Sequence, residues 1–460
     1  MQSVQDSHLG SESIPRLLLR MSLPAMAAQC VNVLYNVVDR IYIGNIPVIG
    51  ATALTGVGVT FPILMIISAF SSFIGMGGAP LASIKMGQGD HDGAEKILGN
   101  SFTLLVAISV VLTGIFLAFR RPILYAFGAS DAIFSYADDY ITIYLLGTIF
   151  VQLSLGLNTF ISAQGFSGTA MLSVIIGAVV NIVLDPVFIF LFDMGVSGAA
   201  LATILSQALS AAWVLRFLLS SKSILRIRKK NLLPSWRIAL SIATLGISPF
   251  IMQSTESLVN IVFNTSFQRY GGDLYVGSIT IMTSIMQMIV MPITGIAQGA
   301  QPIISYNYGA KQFDRVKKTF RLLFIVTVSV STTCCLVGVL FPRMLARMFT
   351  QQTDLLNLTG RMMPVFLGGV FAFGAQMACQ NTFLALGQAK VSIFLALLRK
   401  MILLIPLALI LPVFFGVEGI YFAEPIADIG AATTTVILFF CSIRKILSES
   451  NPVGPALPKG

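Results

Sequence analysis

Four side chains in the first half of the sequence sit oddly in their surroundings. Asp39 and Asp185 each stand near the end of a long apolar block, and Asn181 and Thr203 fall where they can meet them. Asn181 precedes Asp185 by one helical turn on the same face. At 1.5 Å per residue, Asp39 lies roughly 36 Å beyond Pro15, Asp185 roughly 24 Å into its helix, and Thr203 about 10 Å from the outer end of the next, with Tyr140 at a similar depth. A charge in mid-membrane costs at least ~2.5 kcal/mol on insertion scales, so these acids are expected to face a bundle interior or water. Two adjacent carboxyl groups cannot both ionise cheaply and would titrate as a coupled pair. That suits a proton carrier. With the Asn181 and Thr203 oxygens, the same cluster could instead ligate a hard monovalent cation, and a proton held permanently for structure is the third possibility.

Other polar residues form stripes. Gln29, Asn32 and Asn36 lead to Asp39 along one face of the first helix, and Gln253, Glu256 and Asn260 repeat the pattern at offset 224. Such stripes either hydrogen-bond neighbouring helices or line a cleft. In the second half, Glu256, Glu424 and Asp428 are the acids within apolar blocks, with Arg399 and Lys400 close enough in sequence to neutralise one of them. Met282, Met286 and Gln287 on one helix, with Phe366, Phe373 and Gln376 on another, would suit a tolerant binding wall; ordinary core packing is the alternative.

The elements that must position these groups are membrane-spanning helices. Of 460 residues 56% are hydrophobic and only 10% charged, whereas soluble domains carry about a quarter charged residues. Blocks such as Thr103 to Phe119 and Leu322 to Phe341 are charge-free and close to the roughly 20 residues a spanning helix needs. Twelve spans are expected, near 15–39, 51–80, 94–119, 133–157, 169–192, 196–220, 237–265, 274–300, 316–341, 357–383, 391–415 and 418–443. The blocks lack the period-two alternation of a β-barrel. The first fourteen residues lack the basic head and short apolar core of a signal peptide and read as a cytoplasmic tail. The net charge of +10 follows topology rather than nucleic acid, because basic residues concentrate in alternate loops. Assigning the termini to the cytoplasm, that side collects 22 Lys and Arg, Arg399, Lys400 and Lys459 among them, against 7 opposite. Neither His8 nor His91 lies in a span, and the five cysteines lack ligand spacing.

The chain reads as two six-helix halves. A cytoplasmic tail (1–14) precedes the first lobe (15–220); a basic linker (221–236) leads to the second lobe (237–443) and a last tail (444–460). Gly75-Met-Gly-Gly-Ala-Pro80 through Ser83 to Gly87 echoes Ala297-Gln-Gly-Ala-Gln-Pro302 through Ser305 to Gly309, at offset 222. Asn158-Thr-Phe160 recurs as Asn381-Thr-Phe383, and Gly195-Val-Ser-Gly198 as Gly416-Val-Glu-Gly419. Copies six helices apart share one orientation, so the halves are parallel repeats about an axis along the membrane normal.

The segments Asn36-Val-Val-Asp39, Asn181-Ile-Val-Leu-Asp185-Pro186 and Gly198-Ala-Ala-Leu-Ala-Thr203, with the repeated Gly-to-Gly motif, resemble the multidrug and toxic compound extrusion (MATE) family over nearly the whole chain. The resemblance implies two six-helix lobes around a V-shaped cleft and export of small, often cationic lipophilic compounds in exchange for H⁺ or Na⁺. It implies an amino-lobe ion site at Asp39, Asn181, Asp185 and Thr203, with Tyr140 and Asn158 at neighbouring family positions; Asn158 reads as nearer the inner side. Some members add a carboxyl-lobe pair. Glu256 matches its first acid, but the tenth span offers only Gln376 and Gln380. The expected protein is a monomer in the inner membrane that needs no cofactor beyond the coupling ion. The rivals are a lipid-linked saccharide flippase of related fold, which would line its cleft with bases, and a membrane-embedded enzyme, for which the spans offer no nucleophile–base pair.

Overall fold

The computed structural model describes residues 8–448, apart from the side chains of residues 51 and 273. The outer parts of both expected tails, 1–7 and 449–460 with Lys459, lie outside the described residues. Every regular element among those described is helical. Apolar segments in lipid have no water to satisfy backbone groups and must bond internally, which a helix does.

The first lobe holds α1 (Ile14–Gly44), α2 (Gly50–Gly87), α3 (His91–Ala118), the short α4 (Arg120–Ala126), α5 (Asp131–Leu146), α6 (Thr148–Ala163), α7 (Ser167–Pro186) and α8 (Gly195–Leu219). The second holds α9 (Trp236–Gly271), α10 (Asp273–Gly309), α11 (Phe313–Leu340), the short α12 (Pro342–Arg347), α13 (Thr353–Phe366), α14 (Val370–Ala385), α15 (Ala389–Leu397), α16 (Ile405–Phe415) and α17 (Val417–Ile446). A π-helical turn, Val187–Leu191, extends α7, and another, Leu398–Leu404, joins α15 to α16. Eleven spans are long and apolar enough to cross a membrane, and the bent pair α5–α6 makes a twelfth.

The fourth span, expected as one rod over 133–157, is broken: α5 and α6 meet at 57°. Gly147 makes the break, because a Cβ there would collide with the Ile204 side chain. Gly369, 222 residues later, closes the 3₁₀ turn Leu367–Gly369 between α13 and α14. The second and eighth spans, α2 and α10, outrun their expected ends at 80 and 300 and reach Gly87 and Gly309.

That extra length forms the joint between lobes. A Cβ on Gly87 would strike the Tyr306 carbonyl, and one on Gly309 would strike the Ile84 carbonyl. The two clashes are the same contact seen from either lobe, since 84 and 87 become 306 and 309 at offset 222. Gly77 rides on Gly246 of α9, and Gly299 rides on Ser22 of α1. Hydrogen bonds reinforce the seam: Ser22 Oγ to Ile296 O at 3.2 Å, Gln29 Nε2 to Gln298 Oε1 at 3.0 Å, and Ser72 Oγ to Gln253 Oε1 at 2.7 Å. These contacts gather toward the ends where α1 and α9 begin and α2 and α10 finish. The repeat also shows in matched bonds, Ser83 Oγ to Ala163 O and Ser305 Oγ to Ala385 O, both 2.8 Å.

Residues 8–13 pack into this end. Leu9 is 1% exposed and lies against Gly165. Its carbonyl accepts from Asn307 Nδ2 at 2.9 Å and Arg315 Nη2 at 3.1 Å, and Arg315 also donates to Glu12 O at 2.7 Å. The basic linker is docked too, with Ser223 on Gln164, Arg228 on Glu95 at 2.7 Å and Lys230 on Asp92 at 2.7 Å. Asp90 caps α3, accepting from Gly93 N and Lys85 Nζ, both at 2.9 Å. Partial burial works against its charge, but these two donors hold its carboxyl below the usual carboxylate range.

Candidate functional site

Asp39 sits near the end of α1, one turn before the chain breaks for α2, and Asp185 sits at the last turn of α7. The two helices pack along each other. Asp185 is fully buried and Asp39 is 9% exposed, and their carboxyl groups lie within hydrogen-bond reach of one another. Asn181 Nδ2 donates to Asp185 Oδ1 at 3.1 Å and reaches Thr203 Oγ1 of α8 at 3.4 Å. Tyr140 of α5 lies beside Thr203, and its ring stacks on Tyr144 at 6.2 Å. Four helices thus deliver these five residues to one place.

The cluster is short of donors. Asp39 Oδ1, Asn181 Oδ1 and Asp185 Oδ2 are buried with no hydrogen-bond donor among the described residues. Buried acceptors without a donor are costly. A shared proton would satisfy the facing carboxyl groups, and an all-oxygen set also suits a hard cation.

Not every expected member is here. Asn158 belongs to the packing of α6 on α7, donating to Ala170 O at 3.2 Å and accepting from Ser173 Oγ at 3.0 Å. Those partners lie two to three turns before Asn181. Two aromatics are added that the sequence reading missed: Tyr35, one turn before Asp39 and close to both acids, and Tyr144. Their spacings, four residues from Asp39 and from Tyr140, were the available signal.

The polar stripes divide by depth. Gln29 and Gln253 bind the seam as described. Asn36 turns back to Asn32 O at 2.6 Å and is exposed, and Asn32 and Asn260 are half-buried. Glu256 takes an ion pair from Lys400. Arg399 bridges Asp428 at 2.7 Å and Glu424 at 3.2 Å and lies over the Phe373 ring at 5.0 Å. Arg399 and Lys400 are therefore not loop charges, and the cytoplasmic count of 22 loses two. The proposed wall also needs correction. Met282, Met286 and Phe366 are packed inside the second lobe's core, because α10 turns 282, 285, 286, 289 and 293 inward together, at helical spacing. Gln287 is exposed. Phe373 and Gln376 do line a cavity, beside Met252, Met377, Arg399 and Lys400.

A family described as MatE matches the sequence twice, over residues 24–187 and 249–410. The chain belongs to the MATE family. The two matched stretches are the two lobes of one fold repeated in parallel, in a multi-pass membrane protein of a transport family. Multidrug export protein MepA of Staphylococcus haemolyticus (strain JCSC1435) is 24% identical over 448 residues, 97% of this chain and 98% of that protein. A solved structure described as the outward-facing conformation of a multidrug resistance MATE family transporter of the MOP superfamily superposes with a TM-score of 0.89 at 22% identity, covering 97% of this chain and 99% of that one. Another solved chain, described as protein A, is 37% identical with a TM-score of 0.89, covering 96% of this chain and 99% of its own.

Proposed function

We propose that this MATE protein exports small, cationic lipophilic organic compounds across the inner membrane in exchange for H⁺ or Na⁺, as a monomer with both termini in the cytoplasm and no other cofactor. The observation that carries the reading is the contact between Asp39 and Asp185, with three unpartnered oxygens around it, inside one lobe of a two-lobed fold. The name of the staphylococcal relative supports multidrug export as the cargo class. In this reading the ion binds at Asp39 and Asp185, ordered by Asn181, Thr203 and Tyr140. Neutralising the pair lets the end of α1 repack, and the lobes exchange access to the two sides. Coupling works because the ion binds the two arrangements with different affinity. The flippase reading is disfavoured: Arg399 is already held by two acids, and Glu256 beside Lys400 would repel a phosphate.

Proteoliposomes with separately imposed H⁺ and Na⁺ gradients, screened over cationic dyes, test the reading. The wild type should export dye under one or both gradients, and Asp185→Asn should fold yet lose gradient-driven export. Undiminished export by that variant overturns the ion site.

A further inference from the structure

Five charged side chains that the Asp39–Asp185 cluster does not use meet in the second lobe. Glu256 comes from α9, Arg399 and Lys400 from the π-helical turn before α16, and Glu424 and Asp428 from α17. Lys400 and Glu256 close on each other, which leaves Arg399 alone against two carboxylates. It donates to Asp428 Oδ1 through Nε at 2.7 Å and to Glu424 Oε1 through Nη2 at 3.2 Å. The side chains of Arg399, Glu424 and Asp428 are 16%, 8% and 0% exposed. Three acids thus face two bases, and one negative charge is left over where an unpaired charge is costly. Asp428 Oδ2 marks where the deficit falls, since it is buried and receives no donor among the described residues. The other elements packed on α17 do not make it good. α14 brings only the Cys379 thiol and α16 nothing titratable. Arg361 of α13 is taken by Glu418, Asp354 of α13 and Arg269 and Tyr270 of α9 are exposed, and Tyr421 of α17 turns to the Tyr275 ring.

A single proton balances the group. Glu424 and Asp428 stand one turn apart on the same face of α17, so it can be held between them with Arg399 as the fixed charge. A metal cation fits badly, because hard cations take several oxygen ligands and here one free carboxylate oxygen stands beside a guanidinium. Water can bring the proton. Gln376 Oε1 is likewise buried without a donor, and with the flank of Arg399 it lines a partly open cavity of ≈ 20 Å³, enough for a water molecule and too small for an organic one. The place in the fold also matches. At the offset of 221 that relates Gly198 to Gly419, Glu424 takes the position of Thr203, which belongs to the amino-lobe cluster.

We infer that Glu424 and Asp428 share one exchangeable proton, a second proton-binding site lying between the last two spans, with Arg399 as the residue that bars metal ions from it. The test follows the C=O stretch of protonated carboxyl groups by infrared difference spectroscopy on the full-length protein in proteoliposomes as pH is cycled. Asp39→Asn/Asp185→Asn first removes the amino-lobe acids, and surface acids cancel because every variant retains them. Adding Glu424→Gln to that background should abolish the pH-dependent signal of one carboxyl group, and adding Asp428→Asn should do the same, because either change leaves a single acid balanced by Arg399. Both changes together should remove no more than either alone, which is the mark of a shared proton. No difference in either variant, losses that add up to two groups, or a signal that does not move with pH overturns the site. If one variant does not fold, the other decides whether the signal is lost. The amino-lobe acids are absent from this comparison, so gradient-driven dye export by the wild type separates the two failures: export without the carboxyl signal sinks only the second site, and the signal without export sinks the transport reading.

Discussion

Asn181 does two things for Asp185. It donates to one carboxylate oxygen and ties α7 to Thr203 of α8, so the acid's direction is fixed by a neighbour one turn away. Asn181→Ala should therefore keep the fold but lower the initial rate of gradient-driven dye export by about tenfold, the scale of a lost hydrogen bond to a charged group; a rate equal to wild type at matched protein would show that the amide is idle. This much was legible in the sequence, because a four-residue spacing in a helix is a statement about direction. What was not legible was the direction of residues whose types fit either side of a helix. Met282, Met286 and Phe366 suit a binding wall and a core equally well, and only packing shows that they face inward. Arg399 and Lys400 were counted with the loops because bases near a span end normally mark one. Their partners Glu424, Asp428 and Glu256 stand 25 to 144 positions away, beyond the reach of local pattern.

At the scale of elements, the repeated Gly-to-Gly motif was readable as a repeat but not as a joint. Its glycines are needed because a backbone from the other lobe passes where a side chain would be. Gly309→Ala should force α10 away from Ile84 and disfavour the closed seam by roughly 1–3 kcal/mol, as over-packing does. Spin labels near the ends of α2 and α10 would report a longer mean separation, and Gly87→Ala should mimic it through Tyr306. An unchanged distance distribution in both would remove the joint from the mechanism. The break at Gly147 escaped the sequence reading for a related reason. A glycine inside an apolar run is compatible with a straight span, and only Ile204 across the way makes it a corner. Capping is simpler: Asp90→Ala removes the acceptor for Gly93 N and the partner of Lys85, and should lower thermal stability in detergent by about 1 kcal/mol.

Across the whole molecule, the twelve spans and the two lobes followed from hydropathy and from the constant offset, since both are properties of long stretches that single side chains cannot disguise. The tail was less visible. Residues 8–13 are polar enough to pass for a free end, yet Leu9 is buried between lobes and Arg315 clasps two of the segment's carbonyls. Arg315→Ala should loosen this clasp and raise the fraction of molecules whose α1–α10 ends are parted, read by the same spin-label distances. No change would mean that the segment only rests on the joint.

The reciprocal crossing of α2 and α10 makes the joint a pivot. Contacts gathered at one end of the lobes hold that end together but leave it free to rock about a line lying across the helices. From Ile84 to the far end of α2 at Gly50 is about 51 Å of helix at 1.5 Å per residue. A turn of only about 10° there carries the far end through about 9 Å by leverage over that length, so a passage can open wide at one face while atoms near the fulcrum barely stir.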